Sequence, residues 1–277
     1  MKNILVMALI LTVFVSCMDS KDKRNDLTIL DLKGKVKKSK ETTHREKINT
    51  GVPEIVFKGY TVIKEFNTQG KIVQEDQINP NNTPYSTTIN TYDEKGRIIK
   101  SDESGQGSRV YEYDKRGNNI FEYAYLEDGT RWLRTTNTFN EKNQKTESLM
   151  EIDNIADSPW GSVHYRVRKY TYKYDNKGNL IENLEHHNSI QTSTITYKYD
   201  ESGREIEEVI NSDSKRIYLY DLHGNKITET QYRKDGSIVN VIHNKYEDID
   251  KYGNWRKKSC EFSFSYVDIT KREFEFY

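Results

Sequence analysis

The sequence has little cysteine, no surplus of either charge and no familiar catalytic motif, and these gaps narrow what the chain can be. Cys17 and Cys260 are its two cysteines, too few for a disulfide framework in 277 residues. Lys plus Arg and Asp plus Glu both count 43, so no net charge steers the chain onto nucleic acid, which is not expected as a partner. Gly-x-Ser-x-Gly, His-Glu-x-x-His and a phosphate-cradling glycine loop ahead of a helix are all missing. No catalytic residue, metal site or cofactor is therefore expected. Long apolar runs are missing too, apart from one stretch near the start.

That stretch, Ile4 to Val15, follows Lys2 and leads through Ser16 to Cys17. It reads as an export signal, too short for a permanent membrane span. Val15-Ser16-Cys17 resembles a bacterial lipobox, which implies that Cys17 carries lipid. The expected division is a signal peptide at 1–16, a lipidated Cys17 with a charged tether at 17–26, and a folded domain at 27–277. Nine tether residues, Met18 to Asp26, reach about 30 Å. The expected address is the cell envelope, anchored to the outer membrane on its periplasmic or surface face. Cys260 shares the parity of Phe262 and Phe264 and reads as a buried strand thiol.

Tyrosine is what the chain has in excess: 20, against 9 Phe and 3 Trp. Many of these residues belong to one phrase, an apolar or aromatic residue followed by Asp or Asn, two variable residues and Gly. It occurs nine times, beginning at Leu30, Phe66, Tyr92, Tyr113, Phe139, Tyr174, Tyr199, Tyr220 and Ile249. Asp or Asn at the first position of a type I turn accepts bonds from the backbone ahead of it, and the last position needs a left-handed conformation. The pairs Asp93/Gly96, Asp114/Gly117, Asp175/Gly178, Asp200/Gly203 and Asp221/Gly224 are therefore structural turn residues. Asn143 stands in for glycine once, and asparagine tolerates the same conformation. Tyr170, Tyr172 and Tyr174 alternate into one such turn, which is strand periodicity. Return turns are expected at Asn79–Asn82, Asp128-Gly129, Asn211–Ser214 and Asp235-Gly236.

Tyr92-Asp-Glu-Lys-Gly-Arg-Ile98 and Tyr174-Asp-Asn-Lys-Gly-Asn-Leu180 resemble the YD-repeat (RHS) family. The resemblance implies an all-β chain of repeated hairpins forming one curved or rolled antiparallel sheet. Nine hairpins imply about eighteen strands, with a Tyr/Ile face inward and departing terminal copies acting as caps.

Candidates for chemistry are few. Glu205, Glu207, Glu208, Asp248 and Asp250 are carboxylates on strands, and such pairs arise by chance on a charged sheet. His186-His187 reads as a surface loop, since strand neighbours face opposite ways and cannot share a metal. The irregular insertion Asp153 to Val163 carries Trp160, with Tyr165 just beyond it. These two are the candidate binding residues, for stacking on a sugar or anchoring a peptide; the alternative is a loop covering a sheet edge. Trp132 and Trp255 read as packing residues. The functional expectation is a non-catalytic interaction module for a peptide or glycan. A structural spacer or envelope-assembly factor is the alternative, and a polymer-degrading enzyme the third.

Overall fold

The computed structural model describes residues 26–48, 52–153, 167–263 and 266–277. The signal segment, Cys17, the tether up to residue 25, Trp160 and Tyr165 lie outside the described residues. A short helix, α1 (Asp26–Ile29), precedes the sheet. Asp26, assigned to the tether by the sequence, is therefore part of the folded unit. The strands are β1 (Val36–Lys47), β2 (Glu54–Phe66), β3 (Ile72–Ile78), β4 (Pro84–Tyr92), β5 (Ile98–Glu103) and β6 (Gly107–Tyr113). They continue as β7 (Asn119–Tyr125), β8 (Arg131–Phe139), β9 (Lys145–Ile152), β10 (Val167–Tyr174), β11 (Leu180–His187) and β12 (Ile190–Tyr199). The last are β13 (Glu205–Ile210), β14 (Ser214–Tyr220), β15 (Lys226–Arg233), β16 (Ile238–Ile249), β17 (Trp255–Ser263) and β18 (Tyr266–Phe276).

Each strand pairs antiparallel with the next, and β1 pairs with both β2 and β18. The sheet is a closed eighteen-stranded barrel. This corrects the expected curved or rolled sheet, because no edge is left where a half-pipe would end. It also removes the terminal caps: the first and last strands are ring neighbours, with Thr43 opposite Thr270 and Arg45 opposite Asp268. With strands ~4.8 Å apart and tilted by ~40°, a circular ring of this size is roughly 35 Å across between backbones, wide enough for an aqueous lumen.

Eight Asp/Asn turns lie on one rim. At Asp175 the Oδ1 atom accepts from the backbone N–H of Lys177 and of Asn179, at 2.9 and 2.8 Å. Gly178 N–H bonds back to the Asp175 carbonyl with φ +95°. The other four pairs named from the sequence close in the same way. Gly96, Gly117, Gly203 and Gly224 donate to the carbonyls of Asp93, Asp114, Asp200 and Asp221 at 2.9–3.1 Å, with φ from +74° to +92°. Hydrogen bonds from Asn179 hold the Asp175 carboxyl below its usual range, and the backbone N–H of Arg204 does the same for Asp200. Asn143 takes φ +61° at the glycine position. The ninth copy is not a hairpin. Leu30 and Asp31 form the C-terminal turn of α1, with Asp31 at φ +52°; the chain then runs into β1 beside the end of β18.

The tyrosine that precedes each turn aspartate has a task that periodicity alone does not show. Its hydroxyl donates to the carbonyl of the first residue of the strand before it: Tyr92 to Ile72, Tyr113 to Ile98, Tyr174 to Lys145, Tyr199 to Leu180 and Tyr220 to Glu205, all at 2.7–2.8 Å. These bonds lace successive turns together where the backbone ladder stops, and so satisfy carbonyls that would otherwise depend on water. Phe139 has no hydroxyl, and there Asn137 Nδ2 donates to the equivalent carbonyl, that of Asn119. Where Ile249 stands in the motif, Tyr246 supplies the bond to Lys226.

The seam between β18 and β1 is held by a clasp. Leu27, Leu32, Val36 and Phe66 are buried together, with Leu30, Ile72, Phe274 and Phe276 packed against them. Asp26 Oδ2 accepts from Ile72 N–H at 2.6 Å and from the Tyr92 hydroxyl at 3.3 Å. Asn254 binds both the N–H and the carbonyl of Lys33. The segment from Asp26 to Lys35 thus crosses the rim from the β2–β3 turn to the β16–β17 turn.

Register followed around the ring separates two faces. One carries the pairs Arg216–Glu208, Arg272–Glu41 and Arg45–Asp268, at 2.6–2.7 Å, along with Arg109–Glu122 and Lys64–Glu75. The other carries Lys173–Glu182, Lys198–Glu207 and Lys169–Glu147. The Glu208 side chain is 16% exposed and the Lys198 side chain 71%, so the arginine face lines the lumen. The inner wall carries tyrosines with Ile195, Ile210 and Ile242, as expected, but Arg and Glu pairs stand among them; Ile89 points outward and is exposed. Charged pairs along the outer strands are the opposite of a lipid-facing apolar band.

Candidate functional site

An open cleft of about 570 Å³ lies on the clasped rim, between the β16–β17 turn and the end of β18. Its aromatic part is Tyr252, Phe274 and Phe276. The Tyr252 and Phe276 rings meet at 4.5 Å, and Phe274 stands 6.2 Å from Phe276. Tyr252 remains 40% exposed, although it packs beneath Gly34. Lys251 holds its ammonium 4.9 Å from the centre of the Tyr252 ring.

Polar groups converge on the same place for backbone reasons. Glu247 pairs with Lys257 and Ile249 with Trp255; Asp248 falls between them at φ +56°. That is a left-handed conformation, uncommon outside glycine and asparagine, and it turns an exposed carboxylate out of the ladder. Asp250 is committed to the turn, where its Oδ1 accepts from Tyr252 and Asn254 N–H, both at 2.9 Å. Arg256 completes the lining and is exposed. The cleft therefore offers a stacking surface, a carboxylate acceptor and two cationic donors. Its volume falls in the range of small-ligand sites.

The five turn pairs singled out in the sequence are not brought into this cleft. Asp93 with Gly96, Asp114 with Gly117, Asp175 with Gly178, Asp200 with Gly203 and Asp221 with Gly224 belong to other turns, and none lines it. The pair that does border it is Asp250 with Gly253, from the copy whose aromatic is replaced by Ile249.

The inner wall holds a second cluster. Arg216 bonds Glu208 at 2.6 Å and lies 3.8 Å from Glu229. Lys226 stacks over the Tyr218 ring at 3.5 Å. Burial, then the neighbouring Glu208, raises the Glu205 carboxyl; burial lowers the Lys226 ammonium and raises the Tyr218 hydroxyl. Tyr111 is pushed up to about 12, chiefly by burial. Glu207 faces outward to Lys198, so the three glutamates read together in the sequence divide between the faces.

His186 and His187 end β11 rather than forming a loop, a correction that follows from their pairing with Lys169 and Arg168. His187 Nε2 lies 2.6 Å from Glu185 Oε1. Among the described residues no three His, Cys, Asp or Glu side chains converge as metal ligands. Cys260 lies on β17, and burial raises its thiol. Trp255 stacks on Arg272 at 3.7 Å and meets Tyr246 edge-on. The sequence pointed to Asp248 and Asp250 as carboxylates but missed Tyr252, Phe274 and Phe276. Their signal was a tyrosine inside a turn and aromatics alternating to the C-terminus.

No family model and no curated protein matches the chain. Among solved structures it is similar to a porin-like protein from Bacteroides uniformis, at 13% identity and a TM-score of 0.44, with 87% of this chain and 96% of that chain covered. It is similar at 10% identity and a TM-score of 0.24 to a Vibrio parahaemolyticus domain assigned to outer membrane lipoprotein sorting, covering 86% of this chain and 85% of that one. A third likeness is to the Photorhabdus luminescens Tc holotoxin pore, at 11% identity and a TM-score of 0.24, covering 79% of this chain and 14% of that chain. At these scores the three likenesses assign no family and no activity. The resemblance to the YD-repeat family is corrected: no model of that family matches, and the hairpins close into a ring of eighteen strands instead of continuing as a repeat shell.

Proposed function

We propose that the protein is a non-catalytic binding module of the cell envelope, lipid-anchored through Cys17, and that its rim cleft holds a glycan. The observation that carries this reading is the exposed Tyr252 ring beside Phe276, framed by Asp248 and Arg256. Aromatic faces stack on the C–H face of a sugar, and a carboxylate with a guanidinium pairs its hydroxyls in both directions. A peptide is the second ligand class the same groups accept. The barrel supplies the rigid frame, since its motif tyrosines are engaged in lacing the turns rather than in recognition.

Catalysis is not favoured by the placement of the perturbed carboxyls. Those raised by burial, Glu103 and Glu205, lie on the wall away from the cleft. Beside Glu205, Glu208 is neutralised by Arg216. Glycoside hydrolysis needs a raised acid and an ionised partner flanking a bound sugar, and Asp250 in the cleft is held below its usual range by hydrogen bonds from Asn254 despite its burial.

A glycan array of the full chain, followed by calorimetry on the best ligand, tests the cleft. Tyr252→Ala is expected to weaken binding at least tenfold, the scale of one lost stacking contact, while the barrel stays folded with a melting temperature lowered by only a few degrees through the lost Phe276 contact. Binding indifferent to Tyr252→Ala would move the site elsewhere. Anchoring is tested separately: Cys17→Ala should shift the chain from the membrane fraction to the soluble fraction, and continued membrane fractionation would refute the lipid.

A further inference from the structure

Three cations border the rim cleft, and among the described residues none of them has a carboxylate within ion-pair distance. Arg256 lines the cleft and is exposed. Lys251 holds its ammonium 4.9 Å from the centre of the Tyr252 ring. Lys33 arrives from the clasp: its Nζ donates to the Gly253 carbonyl at 3.4 Å. The next residue, Gly34, lies directly on the aromatic pair, since a Cβ there would stand 3.1 Å from Tyr252 and 3.3 Å from Phe276. The lining also carries the carboxylates of Asp248 and Asp250. Asp250 is turned inward, its Oδ1 accepting from Tyr252 and Asn254 N–H and its Oδ2 from the Asn254 amide. In other copies an arginine after the turn glycine is tied to its own aspartate, Arg97 to Asp93 and Arg204 to Asp200, both at 2.7 Å. Here Asn254 takes that position, so the turn does not consume the guanidinium of Arg256. Asp248 is exposed and bonds to no described residue.

We infer that the glycan held in the cleft is an acidic one, a uronic acid whose ring lies on Tyr252 and whose carboxylate is taken by Arg256, with Lys251 and Lys33 in support. The inference rests on the cleft as the glycan site. A guanidinium matches a carboxylate with two parallel hydrogen bonds, and lysine adds charge without a fixed direction. Charge-assisted hydrogen bonds are about twice as strong as neutral ones, so an acidic sugar uses three groups that a neutral sugar leaves in water. Asp248 repels a second acid and accepts a hydroxyl. A uronic acid meets both demands, with its carboxylate at one end of the ring and hydroxyls at the other.

Oligomers of polygalacturonate and of its fully methyl-esterified form share one backbone and differ in the acid alone. Titrated into the full chain in detergent, the acid form should bind at least about tenfold more tightly than the ester, by a margin that shrinks as salt rises. Arg256→Gln should remove most of that preference. Lys177→Gln, at an exposed position in the β10–β11 turn, should leave it intact. Asp248→Asn keeps an acceptor and tolerates the left-handed backbone; it should tighten the acid form about threefold and leave the ester unchanged. An ester that binds as well as the acid, with both lost in Tyr252→Ala, would keep the cleft and overturn its acidity. Acid binding that falls equally in Arg256→Gln and Lys177→Gln, or in neither, would overturn it as well. If neither form binds, the glycan array decides. Another acidic glycan lost in both Tyr252→Ala and Arg256→Gln would support the inference, and a Tyr252-dependent neutral glycan alone would overturn it. Silence of every glycan would overturn the cleft reading with it.

Discussion

Gly107→Ala is expected to destabilise the barrel by about 3–5 kcal/mol, lowering the melting temperature by roughly 10 °C. Two effects combine at this position. Gly107 opens β6 at φ +110°, where L side chains are strained, and a Cβ there would sit 2.0 Å from the Tyr125 carbonyl oxygen and 2.8 Å from the Leu126 carbonyl carbon. Both neighbours are backbone and cannot swing aside. Ser108 is paired with Tyr125, and Tyr125 with Arg131, so relief requires breaking ladder on two sides. Gly105, in the same turn, supplies the control. Its φ is +73°, but nothing lies within 4 Å of a Cβ, so Gly105→Ala should cost only about 1 kcal/mol. Circular dichroism melts of the two variants check the contrast, and equal losses would show that the close approach does not exist.

Asn254→Leu is expected to cost about 2–4 kcal/mol and to loosen the clasp first. Asn254 is 2% exposed. Its Oδ1 accepts from Lys33 N–H at 2.6 Å, while Nδ2 donates to the Lys33 carbonyl at 3.0 Å and to Asp250 Oδ2 at 3.1 Å. Leucine shares its branched skeleton, though it is bulkier, and leaves both backbone groups of Lys33 without partners, each of which costs about 1–3 kcal/mol. Asn225 occupies the same position in the β14–β15 turn, but its side chain serves the local Asp221. Asn225→Leu should therefore cost about 1 kcal/mol. Hydrogen exchange provides the second readout: amides from Leu27 to Lys33 should exchange faster in Asn254→Leu and be unaffected in Asn225→Leu. Uniform loosening of the whole sheet in both variants would mean that the segment is not a clasp.

What the sequence revealed and what it hid divide along physical lines. Turn chemistry is local, so Asp175 with Gly178 could be read from a five-residue window, and Asn143 could be understood as the same conformation in another residue. Strand direction followed from Tyr170, Tyr172 and Tyr174. Closure is a contact between Val36 and Phe276, far apart in the chain, and no window contains it. Leu30-Asp31 and Ile249-Asp250 departed from the motif and looked like caps; they depart because one ends a helix and the other neighbours the clasp. The lacing had a faint signal, since Asn137 stands two residues before the one central copy whose aromatic lacks a hydroxyl. The cleft had almost none. Tyr252 belongs to a turn and Phe276 to a strand, and only the β16–β17 turn meeting the end of β18 places their rings together. Attention fell instead on Trp160 and Tyr165, which the described residues do not include.

Closure of the ring is the claim on which the lumen, the clasp and the cleft all depend, and one disulfide tests it. Thr43 and Thr270 face each other across the seam between β1 and β18, with their hydroxyl oxygens 3.2 Å apart. Facing residues of an antiparallel pair have Cβ atoms close enough for a disulfide. Thr43→Cys with Thr270→Cys, in the Cys260→Ser background, should oxidise nearly completely within the monomer and raise the melting temperature by closing a loop of more than two hundred residues. Two thiols that remain reactive in the folded protein, or a bond that forms only between copies, would mean that the sheet is open.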